Sequence, residues 1–347
     1  MDKKRIVNAE KAVVVEHLSK YFEVVKADGG FLKSVSSLFF PSSKEVIKAL
    51  KDISFTIEEG ELVGFIGPNG AGKTTTLKIL SGLLYPTSGF VQVLGYNPWD
   101  RKPEFLKKIA LVMGQKNQLW WDLPAIETFK LNKAIYEIPE EQFKESLNEL
   151  VELLDVGELL NIQVRKLSLG QRMKLELVAA LLHKPKVLFL DEPTIGLDVI
   201  AQKKLRDFIF NYNKRFKSTI LLTSHNMDDF VNLAKRVIVI DRGEIFFDGE
   251  FKGLIDRFAR KKLIKVYLSK EADINRFEEI GKIKKVDYPL VVLAVPRETA
   301  TIASAKILRS FPIADLTVEE EPIDSIIRRV FRSGSNRLNA IRDSDVS

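Results

Sequence analysis

Gly67-Pro68-Asn69-Gly70-Ala71-Gly72-Lys73-Thr74-Thr75 has the composition of a loop that grips phosphate. In G-x-x-x-x-G-K-[ST], backbone N–H groups and a helix N-terminus wrap the phosphates, the lysine reaches the β and γ oxygens, and the hydroxyl takes Mg²⁺. The motif points to a nucleotide, and ATP with Mg²⁺ is the expected pair. Further along, Leu167-Ser168-Leu169-Gly170-Gln171 precedes a helical pattern, and Val187-Leu188-Phe189-Leu190 is an apolar strand ending in Asp191-Glu192. Carboxylates at a strand end near a phosphate loop fit two tasks: Asp191 holds the metal, directly or through water, and Glu192 polarises an attacking water. Phosphoryl transfer to water needs little covalent work from a protein, so positioning charge and solvent is the whole of the chemistry.

The elements that must hold these residues follow from periodicity. Val13–Glu16 and Leu50–Ile57 read as strands, and Glu61–Ile66 is a short apolar strand running into the phosphate loop. Thr74–Leu83 should form the helix whose N-terminus faces the phosphates. Val187–Leu190 and Thr219–Thr223 are further apolar strands, and a parallel sheet presents chemistry at such carboxyl ends. Between residues 115 and 183, apolar residues recur at helical spacing: Phe143, Leu147, Leu150, Val151 and Leu154, then Met173, Leu175, Leu177 and Leu181. A helical subdomain is therefore expected inside an α/β core.

Length and charge bound the partners. The 347 residues suggest two domains. No run reaches the roughly 18 to 20 apolar residues of a membrane-spanning helix. The absence of cysteine excludes thiolate chemistry and disulfides, and 54 basic against 47 acidic residues leave a mild surplus of +7 that a solvated surface explains, so no nucleic-acid partner is expected. Residues 26–44 form an insertion with Phe31, Leu32, Val35, Leu38 and Phe39 on one helical face, read either as packing on its own domain or as touching a membrane or permease. The C-terminal part reads as strand Lys262–Leu268, helix Asp273–Glu279, strands Lys282–Val286 and Leu290–Val295, helix Glu298–Arg309, strand Asp315–Glu320 and helix Ile323–Arg332. That β-α-β-β-α-β order predicts a split βαβ, ferredoxin-like α+β domain over 258–332, after a first domain over 1–257 and before a polar tail, 333–347, expected to be disordered.

The ordered set of motifs resembles the ABC-type ATPases over roughly Val13–Gly249. In that resemblance Leu167–Gln171 matches the signature loop, Asp191-Glu192 the Walker B end, Gln115 the Q-loop glutamine, Ile195-Gly196-Leu197-Asp198 the D-loop and His225 the switch histidine. Phe22 falls at the adenine-stacking aromatic, with Tyr21 as its competitor; spacing from Leu18 favours Phe22. The resemblance implies a P-loop fold of ABC type and a coupled ATPase. It also implies that Lys73, Gln115, Glu192 and His225 act in hydrolysis, that Thr74, Gln115 and Asp191 surround the metal, and that Thr75 supports the α-phosphate.

It further implies a dimer, of two copies or with a paralogous ATPase chain, in which Ser168, Leu169, Gly170, Gln171 and Asp198 serve the partner's nucleotide. Leu169 replaces a usual glycine, while the Ser168 hydroxyl and Gly170 amide remain available. Trp120 and Trp121 fall where the family docks its permease, with burial of both in the helical subdomain as the alternative. Within the family the chain looks like the subunit of exporters with a separate permease, of the drug, polysaccharide or organic-cation efflux type. Such a subunit sits peripherally on the cytoplasmic face of the plasma membrane. A soluble ABC ATPase acting on ribosomes or DNA, or an uptake ATPase, are the competing classes.

Overall fold

The computed structural model describes residues 11–25, 44–114, 116–224, 230, 233–321 and 325–326. The chain forms two compact units, Met1–Gly249 and Glu250–Ser347. Expectations for Gln115, for His225, for the insertion at 26–43, for most of the last helix and for the tail lie outside the described residues.

The first unit is built on a six-stranded sheet, ordered β5 (Ile109–Met113), β6 (Val187–Asp191), β7 (Thr219–Ser224), β3 (Leu62–Ile66), β8 (Arg236–Asp241) and β9 (Glu244–Glu250). The pairs β5/β6, β6/β7, β7/β3 and β3/β8 are parallel. Every residue of β3, β6 and β7 is buried. That burial on both faces is why these segments read as unbroken apolar runs. A second, three-stranded sheet pairs β1 (Lys11–Val25) with β2 (Lys44–Glu58) on one side and with β4 (Ser88–Val93) on the other, both antiparallel. β1 and β2 run longer than their apolar cores predict: they pair as far as Val25 and Lys44 and carry Phe22 opposite Ile47.

Helix α1 (Lys73–Leu80) leaves the phosphate loop, and α2 (Pro103–Leu106) leads to β5. The helix at the loop ends at Leu80 rather than Leu83, since the Leu83 amide turns back to the Lys78 carbonyl at 2.8 Å and the Gly82 amide to Ile79 at 3.0 Å. This closure satisfies carbonyls that a further turn would have used. Between β5 and β6 lie α3 (Ala125–Ile135), α4 (Glu140–Leu154) and α5 (Leu169–Leu181), the inserted helical subdomain, and α6 (Val199–Phe216) follows β6. Phe143, Leu150 and Leu154 are buried on α4, as are Met173, Leu175 and Leu177 on α5.

The second unit opens with α7 (Phe251–Phe258) and holds a four-stranded sheet in the order β11 (Lys282–Asp287), β12 (Leu290–Pro296), β10 (Lys261–Leu268) and β13 (Ile313–Glu320). All its pairs are antiparallel. The third strand therefore sits between the first two, which is the split βαβ arrangement of a ferredoxin-like domain. Ile264, Val266, Val291, Leu293 and Val295 pack with Ile307 of α8 (Ala300–Ser310) and with Phe277. The helix expected at Asp273–Glu279 is a single 3₁₀ turn, Ile274–Phe277. The Asp273 carboxylate accepts from the Asn275 amide two residues on, a local turn that tightens the segment in place of an α-helical turn.

Candidate functional site

The phosphate loop joins β3, in the sheet interior, to α1. Gly72 caps α1 with φ +112°, and a Cβ there would lie 2.6 Å from Leu50 Cδ2, so the loop is pressed against β2 and only glycine fits. Lys73 is 5 % exposed. Its ammonium donates to the Gly67 carbonyl at 2.6 Å and the Pro68 carbonyl at 3.2 Å, and lies 3.4 Å from Glu192 Oε1. Burial lowers the Lys73 pKa below its ordinary value, and the Glu192 and Asp191 carboxylates oppose that shift.

The Walker B end meets the loop across β7. In register, Thr223 of β7 stands opposite both Asp191 and Phe65, so the strand ends bring the carboxylate and the phosphate loop together. The Thr74 hydroxyl donates to Asp191 Oδ2 at 2.7 Å and the Thr223 hydroxyl to Asp191 Oδ1 at 2.7 Å. The same Thr223 oxygen accepts from the Glu192 amide at 3.0 Å, and the Thr223 carbonyl accepts from it at 3.1 Å. Glu192 takes φ +50°, a left-handed conformation that costs a non-glycine residue about 1 kcal/mol or more. Gly114 makes this possible: a Cβ at that position would lie 2.2 Å from the Glu192 carbonyl oxygen, while its own amide donates to the Asp191 carbonyl at 2.8 Å.

Pro68, Asn69, Gly70, Ala71 and Thr75 line the same cleft as Lys73, Thr74, Asp191 and Glu192. Thr223 and Gly114 are contributors that the motif pattern does not mark. Both sit one residue or one strand away from a motif, and strand pairing, not spacing, identifies them. Hard oxygen donors from Thr74 and Asp191 converge, which is the donor chemistry Mg²⁺ takes when phosphates and water fill the remaining positions. The residues thus fit the metal that the loop motif implies.

The signature loop is built differently. Ser168 is exposed and caps α5: its hydroxyl accepts from the Gln171 amide at 3.2 Å, and Gln171 Oε1 accepts from the Ser168 amide at 2.9 Å, a complete capping box. Leu169 packs against Gly196, where a Cβ would lie only 2.8 Å from Leu169 Cδ2. The unusual leucine is therefore seated on the D-loop of its own chain. Asp198 caps α6, accepting from the Ala201 amide at 2.8 Å. None of these side chains lines the cleft around Lys73.

Phe22 is 37 % exposed, with the Lys20 ammonium 5.0 Å from its ring centroid, and the Tyr21 ring is met by Lys48 at 5.5 Å. Trp120 and Trp121 are 54 % and 47 % exposed, which overturns the alternative that both are buried in the helical subdomain. The Arg172 guanidinium of α5 lies 5.6 Å from the Trp121 ring. Of the two other histidines, His17 is exposed and paired with Asp52 at 2.8 Å, and His183 is buried. No described helix is long and apolar enough to cross a membrane.

Comparison with known proteins agrees with this geometry. Residues 50–195 match the family described as ABC transporter, and residues 260–319 match the family described as EvrA-like ABC transporter, C-terminal domain. The ABC transporter ATP-binding protein NatA of Bacillus subtilis (strain 168) is 33 % identical over 231 residues, 67 % of this chain and 94 % of NatA. The bacitracin transport ATP-binding protein BcrA of Bacillus licheniformis is 33 % identical over 222 residues, 64 % of this chain and 71 % of BcrA. A dimeric post-hydrolysis ATP-binding cassette bound to ADP and Pi matches in structure with a TM-score of 0.57 at 24 % identity, covering 69 % of this chain and 98 % of that one.

Proposed function

This chain belongs to the ABC transporter ATP-binding family and is an ATPase; from that premise we propose that it powers export by a separate membrane permease, through ATP-driven closure of a dimer. The observation that carries the proposal is the separation of two half-sites. Lys73, Thr74, Asp191 and Glu192 converge in one cleft, whereas Ser168 and Gly170 present a helix N-terminus elsewhere. A helix N-terminus favours anionic groups, so a second chain that brings its own Ser168 loop over this cleft would complete the phosphate cage.

In this reading Lys73 leaves the carbonyls of Gly67 and Pro68 to hold the β and γ oxygens, and the loop amides and Thr75 hold the remaining phosphates. Thr74 and Asp191 hold Mg²⁺, which when bound neutralises charge on the phosphate oxygens. Glu192 orients and polarises the attacking water, and its left-handed backbone aims the side chain across the cleft toward Lys73. Gln115 and His225 complete the metal, water and γ-phosphate contacts from their sequence positions. Phe22 stacks the adenine. Asp198 and the signature residues serve the partner's nucleotide. The exposed Trp120–Trp121 pair anchors the permease, as large aromatics do at interfaces. The chain then sits on the cytoplasmic face of the membrane through that contact.

ATP supplied to inverted vesicles that hold the chain and its permease should load cargo into the lumen, and Trp120→Ala with Trp121→Ala should abolish loading while the isolated subunit still hydrolyses ATP. ATP-driven loading of right-side-out vesicles instead would reject export. Retained loading by the double variant would reject the docking assignment.

A further inference from the structure

Glu176 lies on α5 with 2 % of its surface exposed, away from the phosphate cleft. One oxygen, Oε1, accepts both the Gln118 amide at 2.9 Å and the Leu119 amide at 3.2 Å. The other, Oε2, is buried and has no hydrogen-bond partner among the described residues. Burial pushes the carboxyl up from its ordinary value, against the pull of those two amides and of Arg172. A buried carboxylate is kept at a cost to stability, and its surroundings show what it holds: the chain just after Gln115 and just before the exposed indoles.

The same segment has a second anchor of a different kind. The Gln118 side-chain amide donates to the Leu111 carbonyl of β5 at 2.6 Å, a tie to the nucleotide-binding sheet. Glu176, together with Arg172 against the Trp121 ring one turn earlier on the helix, ties it to α5. At 1.5 Å per residue, Glu176 stands about 12 Å along α5 from Ser168, on the same rigid rod. Any displacement of the Ser168 loop relative to β5 must be shared between these two anchors. These two adjacent amides on one oxygen are the harder pair to release, because letting go takes the partner from both donors at once and leaves the buried Leu119 amide unpaired.

We propose that Glu176 is a positioning residue that makes the Gln118–Trp121 segment follow helix α5, so that engagement of the Ser168 loop moves the two exposed indoles. The inference rests on the reading that this loop meets a partner's nucleotide. It assigns the transmission to a carboxylate that touches neither nucleotide nor permease.

The test uses full-length chain carrying Trp99→Phe, which leaves Trp120 and Trp121 as the remaining indoles of the three in the sequence. A non-hydrolysable ATP analogue with Mg²⁺ is added, indole emission and acrylamide quenching are read, and sedimentation of the same samples reports dimer formation. Glu176→Gln keeps an oxygen at the same reach and should retain the analogue-dependent indole change. Glu176→Asp withdraws the oxygen by one methylene from both amides and should reduce that change by about fivefold or more, fivefold being the population shift expected from the net worth of a single hydrogen bond, with analogue affinity unaltered. A full response in Glu176→Asp overturns the proposal, as does loss of the response in a folded Glu176→Gln. If the parent dimerises with no indole change, the proposal fails and the composite-site reading stands. If the analogue is bound and no dimer forms, the composite-site reading fails first. Should Glu176→Asp not fold, Glu176→Gln alone decides, by keeping or losing the response.

Discussion

The Lys73 cleft and the Ser168 loop, the two halves of the proposed composite site, are stabilised in opposite ways. In the cleft Lys73, Asp191 and Thr223 are buried, and the polar groups meet one another across elements far apart in sequence: Lys73 beside Glu192, Thr74 and Thr223 on Asp191. At the signature loop, the polar groups are exposed and satisfied within a few residues, Ser168 by Gln171 and Asp198 by Ala201. A buried polar group must find its partner in the tertiary fold, whereas an exposed one is content with a local cap or water. The cleft is therefore held by long-range contacts, and the loop is a surface that stands ready without strain for whatever docks on it.

If that contrast is right, damage to the cleft should be large and non-local. Glu192→Gln should lower turnover by ~10² to 10⁴ while ATP still binds, the usual share of a group that handles a proton. Steady-state ATPase beside nucleotide-binding titrations reads this, and full turnover would move the base elsewhere. Gly114→Ala should come next: its methyl would be driven into the Glu192 carbonyl at 2.2 Å. Overpacking of this kind costs about 1 to 3 kcal/mol and should shift Glu192, so hydrolysis should fall by more than nucleotide affinity does. Unaltered kinetics and melting would show that the strand end gives way without disturbing the site.

Thr223→Val tests the cross-strand tie without adding bulk. It removes the donor to Asp191 and the side-chain acceptor of the Glu192 amide, at a position fully buried in β7, so unfolding stability should drop by about 1 to 3 kcal/mol. Denaturant melts of variant and parent decide it.

At the opposite end, Ser168→Ala should cost the isolated chain only ~1 kcal/mol of helix-cap stability, readable in the same melts. Its ATPase loss should exceed that small effect if the hydroxyl also serves a partner's nucleotide. Mixing Ser168→Arg chains with Lys73→Ala chains sharpens the comparison, because a heterodimer would carry one intact composite site. Activity that fails to return, with heterodimers present, would count against sharing.

The smallest effect lies away from both ends. His183 is buried, Nε2 donates to the Ile109 carbonyl at 3.0 Å, and the ring stacks on Tyr136 at 4.0 Å; burial holds its pKa below the ordinary 6.5. The unfolded chain then takes up the proton first as pH falls. This stability is full above about 6.5 and is lost as pH drops through the ordinary value toward the folded one, by at most ~1.4 kcal/mol per pH unit. His183→Gln should flatten that slope in melts taken at falling pH, and an unchanged slope would place the titration on other groups.

The local motifs were legible because they depend on backbone chemistry within a few residues. A phosphate loop needs its glycines and lysine at fixed spacing, and the strands β3, β6 and β7 announce themselves as apolar runs because a parallel sheet buries both faces. The strands of the antiparallel C-terminal sheet were legible from their apolar residues in sequence, while the helix expected at Asp273–Glu279 was overestimated because Asp273 competes for the backbone with its side chain, which periodicity does not register. Only the tertiary structure decided that Thr223 bridges Asp191 and Glu192, that Gly114 makes room for a left-handed Glu192, that Leu169 rests on Gly196, and that Glu176 is spent on the amides beside the tryptophans. Each of these joins residues that strand register or helix packing brings together, and neither distance nor burial between such residues is encoded in any short stretch of chain.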